Sequence, residues 1–159
     1  MSRPVSRALL SGMVAAIAWG ASGCGGTGPV VVPLPGPAPT DAALCTRLHS
    51  QLPAKVSTHK SRPVKPRSEF TAAWGDPAVV LVCGVPRPSG LRGSDTAPLG
   101  VNGVAWLEHT GTNTVDYTAV DRGVFVRVDI PKQYAGQSSI LIDLSNAVAA
   151  ALPRRPIPV

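Results

Sequence analysis

Apolar residues recur at helical spacing in two segments of the chain, and each segment stops at a proline. The first stripe predicts a helix over residues 41–51, and its members are Leu44, Cys45, Leu48 and Leu52. The second stripe predicts an amphipathic helix over residues 137–151, and its members are Ile140, Leu141, Leu144, Val148, Ala151 and Leu152. Proline lacks the backbone N–H that a helix needs, so Pro53 and Pro153 mark the two ends.

Strand patterns occupy much of the chain between these helices. Residues 78–83 form a continuous apolar run rich in β-branched side chains, which is typical of a strand buried on both faces. Alternating apolar and polar residues predict three further strands over 101–109, 114–120 and 124–130, separated by short turns. This order of elements predicts an α+β fold in which two helices pack on one face of a mainly antiparallel, four-stranded sheet.

The N-terminus carries the pattern of a secretory signal peptide. Arg3 and Arg7 precede an uncharged, mostly apolar run over residues 8–22, and small residues follow. A membrane-spanning helix needs about 20 apolar residues, so this run is short for a permanent anchor. We therefore predict a signal peptide over residues 1–23, and an uncleaved membrane helix is the alternative.

The end of this predicted signal peptide resembles the lipobox of bacterial lipoproteins. In Ala21-Ser22-Gly23-Cys24, small residues precede a cysteine that would receive diacylglycerol, although Ala21 stands where Leu is usual. Buried acyl chains contribute about 0.8 kcal/mol per CH₂, so a diacylated Cys24 would stay on the membrane. We predict a lipid anchor at Cys24 on the outer face of the cytoplasmic membrane. Plain cleavage, which would leave a secreted protein, is the alternative.

Residues 24–40 are rich in proline and glycine and predict a tether without a fold. Five prolines within this segment remove backbone donors, which excludes a helix or a central strand. An extended segment of this composition would hold a domain some tens of Å from the membrane, at about 3.1 Å per residue. The predicted organisation is a lipoprotein-type signal peptide over 1–23, this tether, an α+β domain over 41–153 and a tail over 154–159.

Charge adds one candidate binding surface to this picture. The net charge of +6 falls to +4 when residues 1–23 are removed, which is modest, and an exported protein predicts no nucleic-acid partner. Residues 55–67 are polar and predict a loop, which carries five cations and no acid: Lys55, Lys60, Arg62, Lys65 and Arg67. These cations predict contact with anionic phospholipid headgroups or acidic wall polymers, and a solvated loop is the simpler alternative.

The two remaining cysteines predict a disulfide bond. Cys45 lies on the apolar stripe of the first helix, Cys83 ends the buried strand, and the exterior of the cell is oxidising. Two free buried thiols are one alternative, and a Cys₂His₂ zinc site with His49 and His59 is another. Since no compact second pair of ligands is present, we predict neither a metal nor another cofactor.

No catalytic motif emerges from the chain. Ser57-Thr58-His59-Lys60 matches the S-x-x-K motif of penicillin-interacting enzymes, but K-T-G is missing and residues 94–96 are a poor S-D-N. Four carboxylates could meet on the predicted sheet, although alternating acids normally mark its solvated face: Glu108, Asp116, Asp121 and Asp129. We therefore predict no catalytic residue. An envelope enzyme of unrecognised type and an accessory subunit of a membrane complex are the alternative functions.

Several short stretches resemble one known family. Residues 72–77 read AAWGDP, residues 80–88 follow as VLVCGVPRP, and residues 101–106 read VNGVAW. Together with Phe125 and its neighbouring valines and the final Leu144-Ser145 helix, these stretches resemble an exported actinobacterial family, domain of unknown function 3515. The resemblance implies an actinobacterial envelope protein but brings no activity, ligand or catalytic residue. The predicted function is that of a lipid-anchored binding or structural module in the cell envelope.

Overall fold

The computed structural model describes residues 28–91 and 97–157, which form an α+β fold. The predicted signal peptide, Cys24 and residues 94–96 lie outside the described residues. Helix α1 spans Pro39–Gln51 and helix α2 spans Ser138–Ala151. The strands are β1 Val30–Val31, β2 Lys55–Val56, β3 His59–Arg62, β4 Val64–Lys65, β5 Thr71–Trp74, β6 Val79–Cys83, β7 Leu99–Val101, β8 Val104–Thr110, β9 Thr114–Ala119 and β10 Val126–Pro131. Neither helix in the described ranges is long and apolar enough to cross a membrane.

The main sheet has eight strands, so the expected number of four was wrong. Its order is β2-β3-β5-β6-β10-β9-β8-β7, and each neighbouring pair is antiparallel, as predicted. One predicted strand divides into β7 and β8 because the chain reverses at Asn102 and Gly103, which have φ values of 46° and 78°. Strand β5 lies outside the four strands that the sequence pattern predicts.

The predicted loop over residues 55–67 contains β2, β3 and β4, which corrects that expectation. These strands have only two to four residues each, and Val56 is their one core side chain. Strand β3 joins the sheet through the register pairs Ser61↔Trp74 and Arg62↔Ala73. Backbone pairing rather than apolar alternation forms these strands, so the hydrophobic pattern contained no signal for them.

Both helices cover one face of the sheet. Strand alternation and register bring a set of buried side chains to that face, including Trp74, Leu81, Val128, Ala119 and Trp106. Helix α2 closes this core with a buried hydrogen bond, in which Nε1 of Trp106 donates to Oγ of Ser145 at 2.9 Å. Ser145 then donates to the carbonyl oxygen of Leu141 at 2.6 Å, so both polar groups are satisfied inside the core.

The predicted disulfide between Cys45 and Cys83 is present. It joins α1 to the end of β6, with a Cα–Cα distance of 5.6 Å and both residues almost fully buried. Because both sulfurs are consumed in this bond, the free-thiol and Cys₂His₂ alternatives are wrong. In the described ranges, no group of three or more His, Cys, Asp or Glu side chains could hold a metal ion.

Loss of the disulfide should destabilise the fold through the entropy of the unfolded chain. The bond closes a loop with a sequence separation of 38, which corresponds to about 3 to 4 kcal/mol of unfolding free energy. We expect the Cys45→Ala/Cys83→Ala double variant to lose about this amount in urea unfolding. A reductant should destabilise the wild type similarly and leave the double variant unchanged. Equal stability of oxidised and reduced wild type would contradict the assignment.

Candidate functional site

The five cations predicted to contact an anionic surface lie together at one end of the sheet. Lys55 belongs to β2, Lys60 and Arg62 to β3, and Lys65 to β4, while Arg67 follows β4. We call these five residues the basic edge. All of them except Arg62 are exposed. Strand β2 is the outermost member of the sheet at this end, so the basic edge borders solvent.

Three members of the basic edge share the face of the sheet that the helices leave uncovered. Val56 points into the core, so its neighbour Lys55 points to the opposite face. Lys60 is the register partner of Lys55, and Arg62 follows two residues later on the same face. Like charges placed directly opposite each other on a sheet are destabilising. The Lys55–Lys60 pair is therefore an arrangement that an anionic partner would stabilise.

Arg62 holds the local structure together. One terminal nitrogen, Nη2, donates to the carbonyl oxygen of Gly28 at 2.6 Å. The other, Nη1, donates to the carbonyl oxygen of Gly75 at 2.8 Å and lies 3.3 Å from Oδ1 of Asp76. With these three partners and a side chain only 14% exposed, Arg62 positions the surrounding backbone. The lysines and Arg67 supply the accessible positive charge.

The N-terminal segment docks on the basic edge, whereas a tether without a fold was expected over residues 24–40. Strand β1 pairs in parallel with β4, and Val30 N–H donates to the carbonyl oxygen of Pro63 at 2.8 Å. Val32 N–H donates to the carbonyl oxygen of Lys65 at 2.9 Å, and its side chain is almost fully buried. The prolines at positions 29 and 33 flank the valines, so the donors needed for this short pairing are retained.

We expect Arg62→Gln to loosen this docked segment. Amide hydrogen exchange at residues 30–32 should become faster, because the variant removes the hydrogen bonds from the Arg62 guanidinium to Gly28 and Gly75. Loss of a single hydrogen bond to a charged group lowers stability by about 1.5 to 3 kcal/mol. If this loss falls on the docked segment, its amide exchange rate should rise at least about tenfold. Arg67→Gln removes the same charge from an exposed position and serves as the control. Similar acceleration in both variants would contradict the positioning role of Arg62.

An open cleft of about 1400 Å³ lies beside the basic edge. It forms where β4 pairs with β1 instead of continuing the main sheet. On that side, β5 is therefore paired with β3 only at Ala73 and Trp74. Its charged lining residues are three cations and one acid: Arg62, Lys65, Arg67 and Glu69. His49 adds a polar group, and several prolines and Trp74 contribute apolar surface. Thr71 also lines the cleft and is almost fully buried.

The four predicted carboxylates do not converge on this cleft. Asp116 and Asp129 are register partners on β9 and β10, but Glu108 belongs to the other face of β8. Asp129 accepts two hydrogen bonds from Arg127, at 2.7 and 3.1 Å. Burial nevertheless raises the pKa of Asp129 above its ordinary value, because desolvation outweighs the attraction of Arg127. Only Asp116 and Asp129 thus lie side by side on the sheet, and the cleft lining contains none of the four acids.

The raised pKa of Asp129 predicts a pH-dependent contribution to stability. A carboxyl with a raised folded-state pKa contributes stability that is fully present below its unfolded pKa and is lost as pH rises through the folded value. We therefore expect the wild type to gain stability relative to Asp129→Asn as the pH falls from neutral to below 3.8. Urea unfolding across this range measures the difference.

The same comparison in an Arg127→Gln background provides a second check. Without Arg127, the attraction that lowers the pKa of Asp129 is removed, so this pKa should rise further. The stability that Asp129 gains over asparagine as the pH falls should then be larger. A stability difference that stays flat with pH in both backgrounds would show that burial does not perturb Asp129.

The segment that matched the S-x-x-K motif forms a structural turn. Ser57 has a φ of 53°, and its backbone N–H donates to Oδ2 of Asp143 at 2.7 Å. Its hydroxyl accepts a hydrogen bond from Ser139 at 2.9 Å, while the ring of His59 lies 4.3 Å from that of Tyr134. These contacts fasten the β2–β3 turn to α2 and the turn before it. Sequence reasoning did not find the Ser57–Asp143 contact, because it joins residues 86 positions apart.

A buried charge network was also not found from sequence. Oδ2 of Asp121 lies 3.2 Å from Nη1 of Arg122 and 3.6 Å from Nε of Arg154. Its other carboxylate oxygen, Oδ1, accepts a hydrogen bond from the backbone N–H of Ala105 at 3.0 Å. The residues predicted as a tail join this network, since the N–H of Arg155 donates to the carbonyl oxygen of Asp121 at 2.8 Å. A cavity of about 400 Å³ adjoins the network. In the sequence, Asp121 and Arg122 are simply adjacent charged residues in a predicted turn, and this pattern does not indicate that they are buried.

Comparison with known proteins identifies one family. The family described as "Protein of unknown function (DUF3515)" matches residues 5–157, which is nearly the whole chain. No curated protein gives a significant match to the chain, and no solved structure does so either.

Proposed function

Since this chain belongs to the DUF3515 family of proteins of unknown function, we propose its function from its own residues. We propose that it is an exported, lipid-anchored protein of an actinobacterial cell envelope, held on the outer face of the cytoplasmic membrane. There it acts as a binding module for an anionic component of the envelope. The basic edge and the adjacent cleft supply the binding surface.

The disulfide supports an exported location. Cys45 and Cys83 lie in the core, and their bond persists in oxidising compartments, whereas cytosolic reductants keep most thiols reduced. The cationic start and the apolar run of residues 8–22 support the same route. With Cys45 and Cys83 paired, Cys24 is the one cysteine of the chain left over. Lipidation would give that residue a role in an oxidising environment.

The observation that carries the binding role is the arrangement of the cleft. Arg62, Lys65 and Arg67 bring three positive charges to its lining, against the one carboxylate of Glu69. An open cleft with a net positive lining favours a ligand that carries negative charge.

Cys24→Ala tests the anchor. We expect the wild type, expressed with its native N-terminus, to begin at Cys24, carry diacylglycerol and fractionate with membranes. The variant should lose the acyl mass, which mass spectrometry of the intact protein measures. The Cys45→Ala/Cys83→Ala variant retains the anchoring residue and serves as the control. A wild-type N-terminus at another residue, or an unmodified Cys24, would overturn the proposed anchor.

A further inference from the structure

The docked N-terminal segment limits how far the domain can stand from a lipid anchor. The hydrogen bonds of Val30 and Val32 to β4 and that of Arg62 to Gly28 fix the chain from Gly28 onward. Gly28 follows Cys24 by four residues, and a fully extended chain of this length spans at most about 14 Å. A domain anchored through Cys24 would therefore lie close to the bilayer surface.

The same docking determines which part of the domain faces the membrane. The carbonyl oxygen of Gly28 accepts a hydrogen bond from Arg62, and β1 pairs with β4. The N-terminal segment therefore joins the domain at the basic edge. We infer that the basic edge rests on anionic phospholipid headgroups, with Lys55, Lys60, Lys65 and Arg67 as the contacting residues. This inference rests on the proposed lipid anchor. The screening length in physiological salt is about 8 Å, so a connection of at most about 14 Å keeps these charges within about two screening lengths of the headgroups.

The charges around the basic edge favour this orientation. Beyond β6 in the sheet, the acids of β8, β9 and β10 stand beside a cation, since Asp129 pairs with Arg127 on β10. At the basic edge, Asp76 pairs with Arg62, and Glu69, which accepts a hydrogen bond from Thr46 at 3.0 Å, is one carboxylate beside four exposed cations. Asp143 accepts the N–H of Ser57 in the adjoining turn. The exposed lysines thus face solvent with their charge available, and anionic headgroups would also relieve the repulsion between Lys55 and Lys60.

Lysine footprinting on the intact, acylated protein tests this orientation. The protein is purified from its native membranes and reconstituted into vesicles of phosphatidylglycerol and phosphatidylcholine, or of phosphatidylcholine alone. Acetylation of Lys55, Lys60 and Lys65 is then compared with that of Lys132, an exposed lysine beyond the end of β10. In the anionic vesicles we expect the three lysines of the basic edge to react about fivefold more slowly, the equivalent of about 1 kcal/mol per cation. Lys132 should react at an unchanged rate.

Two further arms make the result specific. High salt and neutral vesicles should both remove the protection, because the attraction is electrostatic. Lys55→Gln/Lys60→Gln should weaken the remaining protection of Lys65, and Lys132→Gln should leave it unchanged. Equal protection of Lys132, or no protection in anionic vesicles, would overturn the membrane-facing orientation.

The outcomes separate this inference from the proposed function. Absence of acyl mass on Cys24 in the same samples would overturn the proposed anchor, and the orientation that rests on it. Acylated protein whose basic-edge lysines react freely on anionic vesicles would overturn the orientation alone. Protection by a soluble anionic polymer, such as polyglutamate, but not by vesicles would retain the binding role and assign the basic edge to a polymer instead of the membrane.

Discussion

The Cys45–Cys83 disulfide is the constraint on which the arrangement of this fold depends. Helix α1 packs mainly against α2, and its covalent connection to the sheet is this bond to the end of β6. Strand β6 lies in the middle of the sheet, between β5 and β10. A helix fixed at that point covers the core while leaving the outer strands β2 and β3 at the border. The disulfide thus helps to define which side of the sheet is closed and which side is open.

Arg62 has a comparable role for the open side. Its guanidinium joins the carbonyl oxygens of Gly28 and Gly75, which belong to the N-terminal segment and to the turn after β5. A planar guanidinium with several donors suits a position where separate backbone segments converge. The split between β4 and β5 that opens the cleft lies beside this junction. One member of the cation cluster therefore holds the site in shape, and the others supply its exposed charge.

The hydrophobic pattern was sufficient to predict the helices, β6, β9 and β10, since their apolar residues repeat at the period of a helix or a strand. The pairing of Cys45 with Cys83 followed from the predicted burial of both residues. Strands β2–β4 could not be predicted, because their side chains are mostly polar and show no apolar alternation. The cluster of cations was visible in the sequence, but the division between Arg62 and the lysines depends on contacts with Gly28 and Gly75.

The N-terminal segment and α1 are held to the rest of the domain at two separate places, which makes them one mechanical unit with it. Hydrogen bonds from Val30 and Val32 hold the segment to β4. Farther along, Pro37 packs so closely on Gly84 that a Cβ added there would lie 2.5 Å from the proline ring, and Gly84 has a φ of +79°. Gly84 directly follows Cys83, so the disulfide and this contact converge at the end of β6. Motion of an anchored N-terminus would therefore be transmitted to the sheet, and a proline-rich sequence alone does not establish a flexible tether.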